Sequence, residues 1–254
     1  GEAASQYGHY EPIASGDVVI VEWGTPDGQQ RLMQSRYKND YVQLATHFQP
    51  QVNPLYCGVA SSVIVLNSMR LTKGMAPSQQ NLEVTRPEAL GGGNIPYPAY
   101  SQLTFLNEAT DKVKPRAVIE LKNTDNENSR IDPGLTLLHL KGVLETYDIN
   151  VNMHYADASL PEGAGQFRSV VKQAMQDNDH FVLVNFNGNA YGAPTKGHIS
   201  PVAAYHEETD SVLILDVAGY KNPWYWVPVE QLYQAMHTKD GDNYRGYLVV
   251  SDTI

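Results

Sequence analysis

The spacing of apolar residues changes along the chain, from helical in its first part to alternating and strand-like in its last third. Val18–Trp23 alternates as a short strand does and runs into the turn formers Gly24, Pro26, Asp27 and Gly28. From Gln29 to His47, Leu32, Tyr37, Tyr41 and Leu44 recur at roughly helical intervals, with Phe48 just beyond. Gly58 to Leu71 is apolar on nearly every face, which predicts a helix buried on most sides. Its β-branched residues lower intrinsic propensity, so packing must hold it. Leu135–Tyr147 and Gly165–Asp177 read as amphipathic helices, with Val151–Tyr155 a strand between them.

The tail is different. Phe181–Phe186, His198–Tyr205, Ser211–Val217, Trp224–Val227 and Tyr244–Ser251 are short β-type runs separated by turn residues, predicting an antiparallel sheet. Val229–Met236 reads as a helix between the last two. Residues 75–101, with Gly91, Gly92, Gly93, Pro96 and Pro98, predict a long irregular connection, and Asn123 to Asp132 an exposed polar loop. Helices first and strands later indicate an α+β domain. The expected division is an extension and short strand over 1–28, then one domain over 29–254. Within it a helical lobe covers about 29–180 and a sheet lobe about 181–254.

Composition narrows the function. At 42% apolar and 18% charged residues, the 254-residue chain can bury a sizeable core. A formal net charge of −10 disfavours nucleic acid and an anionic membrane surface as partners. No apolar run is long enough for a spanning helix. Gly1 to Tyr10 lacks the parts of a signal peptide, although a leader already removed would leave the same start. The compartment stays unassigned, with bacterial cytoplasm and periplasm both open.

One cysteine, Cys57, excludes an internal disulfide and any cysteine-cluster metal site. It is either a small buried hydrophobe or a nucleophile. The second reading has a physical basis. Cys57 falls at the predicted helix N-terminus after the extended run Gln51-Val-Asn-Pro-Leu-Tyr, where a thiolate is favoured, and Gly58 leaves room for a substrate backbone. A base must come from elsewhere in the chain. His198, in Gly-His-Ile-Ser-Pro, heads an apolar strand, and Asp216 ends the next one in Val-Leu-Ile-Leu-Asp-Val. Adjacent antiparallel strands bring such side chains within hydrogen-bond reach, so the carboxylate can orient the imidazole. Gln51, on the extended run, can converge with the Cys57 N–H on an oxyanion. Taken singly, a strand-end histidine or a loop glutamine is more often structural.

Together the segments carry a resemblance. Gln51-Val-Asn-Pro-Leu-Tyr-Cys57-Gly-Val-Ala-Ser61, Gly197-His198-Ile-Ser-Pro-Val-Ala-Ala-Tyr205 and Leu215-Asp216-Val-Ala-Gly-Tyr220-Lys221 resemble the thiol, histidine and aspartate motifs of phytochelatin synthases. Weaker similarity covers Arg116-Ala-Val-Ile, Gly134-Leu-Thr-Leu and the Arg245-Gly-Tyr run. The resemblance implies a papain-like fold, with Cys57 as nucleophile, His198 as base then acid, Asp216 as orienting acceptor and Gln51 as oxyanion donor. It implies glutathione as substrate, held by Asn185, Gly197, Tyr220 and Arg245. It implies no tightly bound cofactor and no protein metal site, cadmium and similar ions acting as thiolate complexes of glutathione. The implied product is γ-glutamylcysteine or a phytochelatin.

The sequence also departs from the family pattern. Gly188 and Gly219 stand where the family often has arginine, which removes two cations that could hold a second anionic glutathione and favours hydrolysis over transfer. The sequence stops at Ile254 without the cysteine-rich extension of long eukaryotic members, as a short prokaryotic-type member does. A papain-like peptidase or amidase with another acyl donor, and a thiol-peptide binder without turnover, remain the competing readings. Trp224, Tyr225 and Trp226 are open to either a homodimer interface or the core.

Overall fold

The computed structural model describes residues 19–75, 77, 81–122, 132–157 and 163–253, without the side chains of 81–83. Val18, the first ten residues and most of the expected 123–132 loop lie outside the described residues.

Strand β1 (Val21–Glu22) leads through Thr25 into α1 (Pro26–Gln34). The residues expected to make a turn here start a helix instead. Thr25 accepts from the Gly28 N–H as N-cap, Pro26 supplies a preset φ in the first turn, and Asp27 faces the positive helix end. Gly28 is required because a Cβ there would lie 2.1 Å from the Glu22 carbonyl oxygen. The helical periodicity of 29–47 is divided between α1 and α2 (Asn39–Thr46), since the chain leaves the first helix at Ser35 in an extended conformation.

Helix α3 (Cys57–Arg70) is buried throughout from Gly58 onward, as its all-round apolar pattern predicts. A hairpin of β2 (Asn81–Thr85) and β3 (Asn94–Pro98) stands where an irregular connection was expected. Its turn uses Gly91, Gly92 and Gly93 at positive φ, and β3 is exposed along its length, so no buried face imposed a period on the sequence. After α4 (Glu108–Asp111) and α5 (Arg116–Ile119) come α6 (Leu137–Glu145), capped by Thr136 and His139, then β4 (Ile149–Tyr155) and α7 (Gly163–Ala174).

The remaining strands are β5 (His180–Asn187), β6 (Gly197–His206), β7 (Ser211–Ile214) and β8 (Tyr225–Pro228). Helix α8 (Val229–Met236), a small hairpin of β9 (Lys239–Asp240) and β10 (Asn243–Tyr244), and β11 (Gly246–Asp252) complete the described residues. Among those residues one antiparallel sheet of seven strands runs in the order β1-β8-β7-β6-β5-β11-β4. The sheet is therefore wider than a 181–254 lobe. Its two edges come from β1 and β4, which precede that boundary, because β1 pairs with β8 and β4 with β11.

Apolar residues of α3 and α6 form one core with Leu183, Ile199 and Leu248. Residues of α7 and α8 form a second with Val182, Val184 and Tyr247. Alternate residues along β5 thus enter different cores, as the two faces of a sheet require. Tyr225 and Trp226 are fully buried in these cores, and the Trp226 indole donates to the Gly28 carbonyl at 2.9 Å. They are core residues and not an interface. The expected α+β architecture, with a thiol at a helix N-terminus packed on an antiparallel sheet, is present.

The strand order has a consequence at one end of the sheet. Trp23 follows β1, Trp224 precedes β8, Asp216 follows β7, His198 opens β6, Asn185 lies near the end of β5, and Arg245 precedes β11. The antiparallel registers place all six at the same end, in that order across the sheet.

Candidate active site

Cys57 is the first residue of α3 and remains partly exposed. The N–H groups of this first turn have no helix carbonyl to bond, so they face whatever approaches the sulfur. Two features hold the thiol in place. Gly58 is packed inside, where a Cβ would meet Leu135 at 3.0 Å and Ile199 at 3.4 Å. The glycine expected to admit substrate thus serves instead to bring the helix close to β6. Tyr56, just before the thiol, donates its hydroxyl to Glu120, a carboxylate that also accepts from Arg116 Nε at 2.7 Å and pairs with Lys122 Nζ at 2.8 Å. Burial raises the Glu120 pKa, but Lys122, Tyr56 and Arg116 outweigh it and hold the group at about 2.

His198 Nε2 donates to Asp216 Oδ1 at 2.7 Å, and both residues are buried. Cys57 is close enough to act electrostatically on the same ring, whose Nδ1 the bond to Asp216 leaves over. Burial favours the neutral imidazole. The charge and hydrogen bond of Asp216, with Cys57 adding to them, reverse this and push the His198 pKa up to about 10. Burial likewise raises Asp216, but His198, Asn222 and the Ala218 N–H hold it below the usual carboxylate range. A thiol, an imidazole and a carboxylate that are distant in sequence thus act on one another.

The segment carrying Asp216 is pinned from both sides. Leu215 N donates to the Pro201 carbonyl at 3.1 Å, Val217 N to Ser200 Oγ at 3.2 Å, and Gln51 N to the Val217 carbonyl at 2.9 Å. The last bond ties the run leading to Cys57 directly to the aspartate segment.

Gln51 is buried and borders the same cavity as Asp216 and Tyr220. Its side-chain amide does not point as an oxyanion donor would. Nε2 donates to the carbonyls of Asn53 at 3.0 Å and Pro54 at 3.1 Å, bracing the turn before the thiol. The amide must rotate to offer a hydrogen to substrate.

Among the expected binding residues, Asn185 is buried with no hydrogen-bond partner for its Nδ2 among the described residues. Arg245 donates from Nη1 to the Lys239 carbonyl at 2.7 Å and Thr238 Oγ1 at 3.1 Å, while its buried Nε has no such partner. Gly197 makes room for this guanidinium, since a Cβ there would lie 2.6 Å from Arg245 Nη2. Tyr220 stands on the other side, exposed, its pKa raised by burial and then by the neighbouring Cys57 and Asp216.

The sequence carries no signal for Asn222, a buried residue that helps hold the Asp216 carboxylate below its usual range. Nor did it reveal the aromatic cluster of Trp23, Phe48 and Trp224 next to the triad, because those residues meet only through the strand order. Among the described residues no group of three or more His, Cys, Asp or Glu is arranged to hold a metal, and no helix is long and apolar enough to cross a membrane.

The phytochelatin synthase family model matches residues 17–247. The chain belongs to the phytochelatin synthase family. Its relatives include glutathione gamma-glutamylcysteinyltransferase 3 of Lotus japonicus, 24% identical over 91% of this chain and 42% of that protein. Glutathione gamma-glutamylcysteinyltransferase 1 of Arabidopsis thaliana is 26% identical over 91% of this chain and 41% of its own. The Schizosaccharomyces pombe glutathione gamma-glutamylcysteinyltransferase is 23% identical, covering 87% of this chain and 45% of its own. The chain therefore spans about two fifths of the length of those relatives. Among solved structures, xylellain, a cysteine protease from Xylella fastidiosa, matches 98% of this chain and 96% of its own at 12% identity, with a TM-score of 0.39.

Proposed function

We propose that this protein is a thiol-dependent acyl transferase acting on glutathione, with Cys57 as nucleophile, His198 as base and acid, and Asp216 as its orienting acceptor. The buried hydrogen bond between His198 and Asp216, with Cys57 acting on the same ring, carries the reading. Membership of a family whose relatives are named as glutathione gamma-glutamylcysteinyltransferases supplies the substrate.

The Cys57 sulfur anion attacks the carbonyl of the Cys–Gly bond. The imidazolium of His198 protonates the departing amine, glycine leaves, and a γ-glutamylcysteinyl thioester remains on sulfur. Water, giving its proton to the now neutral imidazole, then releases γ-glutamylcysteine. The amine of a second glutathione attacking instead gives a phytochelatin. First-turn N–H groups of α3 face the carbonyl oxygen, and Gln51 adds a second donor once its amide turns. Arg245 pairs with the α-carboxylate of the γ-glutamyl group, and Asn185, with its free amide donor, holds the same end of the substrate. Gly197 and Tyr220 shape the walls on either side. Heavy-metal ions such as cadmium enter as thiolate complexes of glutathione, as part of the substrate.

Hydrolysis outcompetes transfer. Gly219 brings no cation to the aspartate segment. At Gly188 a Cβ would lie 2.6 Å from the Thr195 carbonyl oxygen, so an arginine is shut out without a backbone shift. Glycine release and phytochelatin formation, followed together at millimolar glutathione with cadmium, test this. Glycine and γ-glutamylcysteine are the expected products, and a predominance of long phytochelatins overturns the hydrolytic preference.

A further inference from the structure

A cavity of about 590 Å³ opens beside the triad, lined by Asp216 together with Gln51 and Tyr220. Its other walls are mostly apolar, formed by Trp23, Phe48, Pro50, Pro223 and Trp224, with Gly219 and Asn222 completing the lining. The aromatics form a built surface, with Trp23 and Trp224 centroids 4.8 Å apart and Phe48 set edge-on to Trp224 at 4.9 Å. The Trp23 N–H donates to the Trp224 carbonyl at 2.9 Å, which fixes that corner to the sheet edge.

Its position assigns its role. Across the sheet end, His198 and Asp216 lie between Asn185 and Arg245 on one side and Trp224 and Trp23 on the other. The acyl half of a substrate held at Arg245 has its scissile carbonyl at Cys57, so the amine half extends past Asp216 into this cavity. No lysine, arginine or histidine is among the lining residues, and the single charge is the Asp216 carboxylate. A second glutathione, an anion, gains nothing there. Glycine, the smallest amino acid, leaves most of the cavity unfilled.

We propose that this cavity is the amine-side subsite, and that the enzyme cleaves γ-glutamylcysteinyl peptides whose departing amine carries a bulky apolar or aromatic side chain in preference to glutathione. The proposal rests on the acyl-transfer reading above and names its preferred substrate class. The bonds are those of the glutathione reaction: the Cys–X amide breaks, the thioester forms, His198 protonates the X amine, and water regenerates the thiol with γ-glutamylcysteine. Burying an aromatic side chain in such a pocket is worth about ten- to hundredfold in binding.

Two measurements test it. In the active enzyme, kcat/KM for γ-Glu-Cys-Phe is expected to exceed that for glutathione by about tenfold or more, with Trp224→Ala or Phe48→Ala collapsing the ratio toward one. In the Cys57→Ala protein, calorimetry is expected to show γ-Glu-Cys-Phe binding at least about tenfold tighter than glutathione. Equal or weaker binding of the phenylalanyl peptide overturns the subsite whether or not turnover occurs. Absence of any thioester from either peptide overturns the acyl-transfer reading instead, while the calorimetric comparison still decides the cavity.

Discussion

His198 Nε2, in β6, stands 2.7 Å from Asp216 Oδ1, which lies just past the end of the neighbouring strand β7 and borders the cavity. That single bond sets which ring nitrogen faces Cys57 and which charge state the ring prefers. With the carboxylate in place, the imidazolium persists to about pH 10 and is ready to protonate a departing amine. Acylation is therefore expected to hold through neutral pH and to be lost as pH rises through that value. Asp216→Asn removes the charge that opposes burial, so the imidazole loses its proton at lower pH. The alkaline limb of kcat/KM for glycine release should move down by several pH units, and the maximum should fall about a thousandfold or more. An unmoved alkaline limb would show that His198 is not the group titrating.

Gly188 and Gly219 separate cleanly in what they tolerate. A Cβ on Gly219 meets only Pro50 Cβ at an ordinary 3.6 Å, whereas one on Gly188 collides with the Thr195 backbone. Gly219→Arg is expected to fold and to place a cation on the amine side, raising the ratio of phytochelatin to γ-glutamylcysteine severalfold. Gly188→Arg is expected to lower the melting temperature. Product ratios by chromatography and thermal melts of both variants check the pair.

Arg245 and Gly197 form a second testable pair. Because the guanidinium end of a flexible side chain is what a Cβ at 197 would meet, Gly197→Ala should displace the arginine and leave the fold intact. Arg245→Lys loses the planar fork that matches a carboxylate. Each is expected to raise KM for glutathione about tenfold, with a smaller change in kcat and little change in melting temperature. A change confined to kcat would take Arg245 out of substrate binding.

Asp40, in α2, is buried with neither carboxylate oxygen hydrogen-bonded among the described residues. Burial, with the charge of Asp177 adding, raises its pKa from 3.8 to about 9. Between those values the folded state keeps a proton that the unfolded chain has lost. This group's contribution to stability is therefore whole below about pH 4 and declines as pH rises to about 9, by about 1.4 kcal/mol per pH unit. Asp40→Asn should flatten that slope, melting higher than the parent at pH 8 and close to it at pH 4. Parallel melting curves for the two proteins across this range would contradict the buried, protonated state.

How much of this was legible in the sequence depended on whether the signal was local. Cys57, His198 and Asp216 each sit in a short motif beside an apolar run, so their elements and their meeting could be inferred. Helix α8 coincides with its expected Val229–Met236 because its apolar stripe lies on one face against the sheet. Thr25-Pro26-Asp27-Gly28 misled because turn formers and helix-start residues are the same residue types. The β2–β3 hairpin carries no buried face, so no period marked it. Gln51 borders the same cavity as Asp216, but the direction of its amide depends on nearby carbonyls that no spacing reveals. The aromatic cavity was not legible at all, since Trp23, Phe48 and Trp224 come together only when β1 closes the edge of the sheet beside β8.

The central claim, that the sulfur of Cys57 takes up the acyl half of glutathione, is tested most directly by the mass of the intact protein after brief exposure to glutathione and acid quenching. The expected result is a mass increase of one γ-glutamylcysteinyl unit, labile to neutral hydroxylamine and absent from Cys57→Ala. An unmodified mass accompanied by glycine release, or the same increase in the alanine variant, would contradict it.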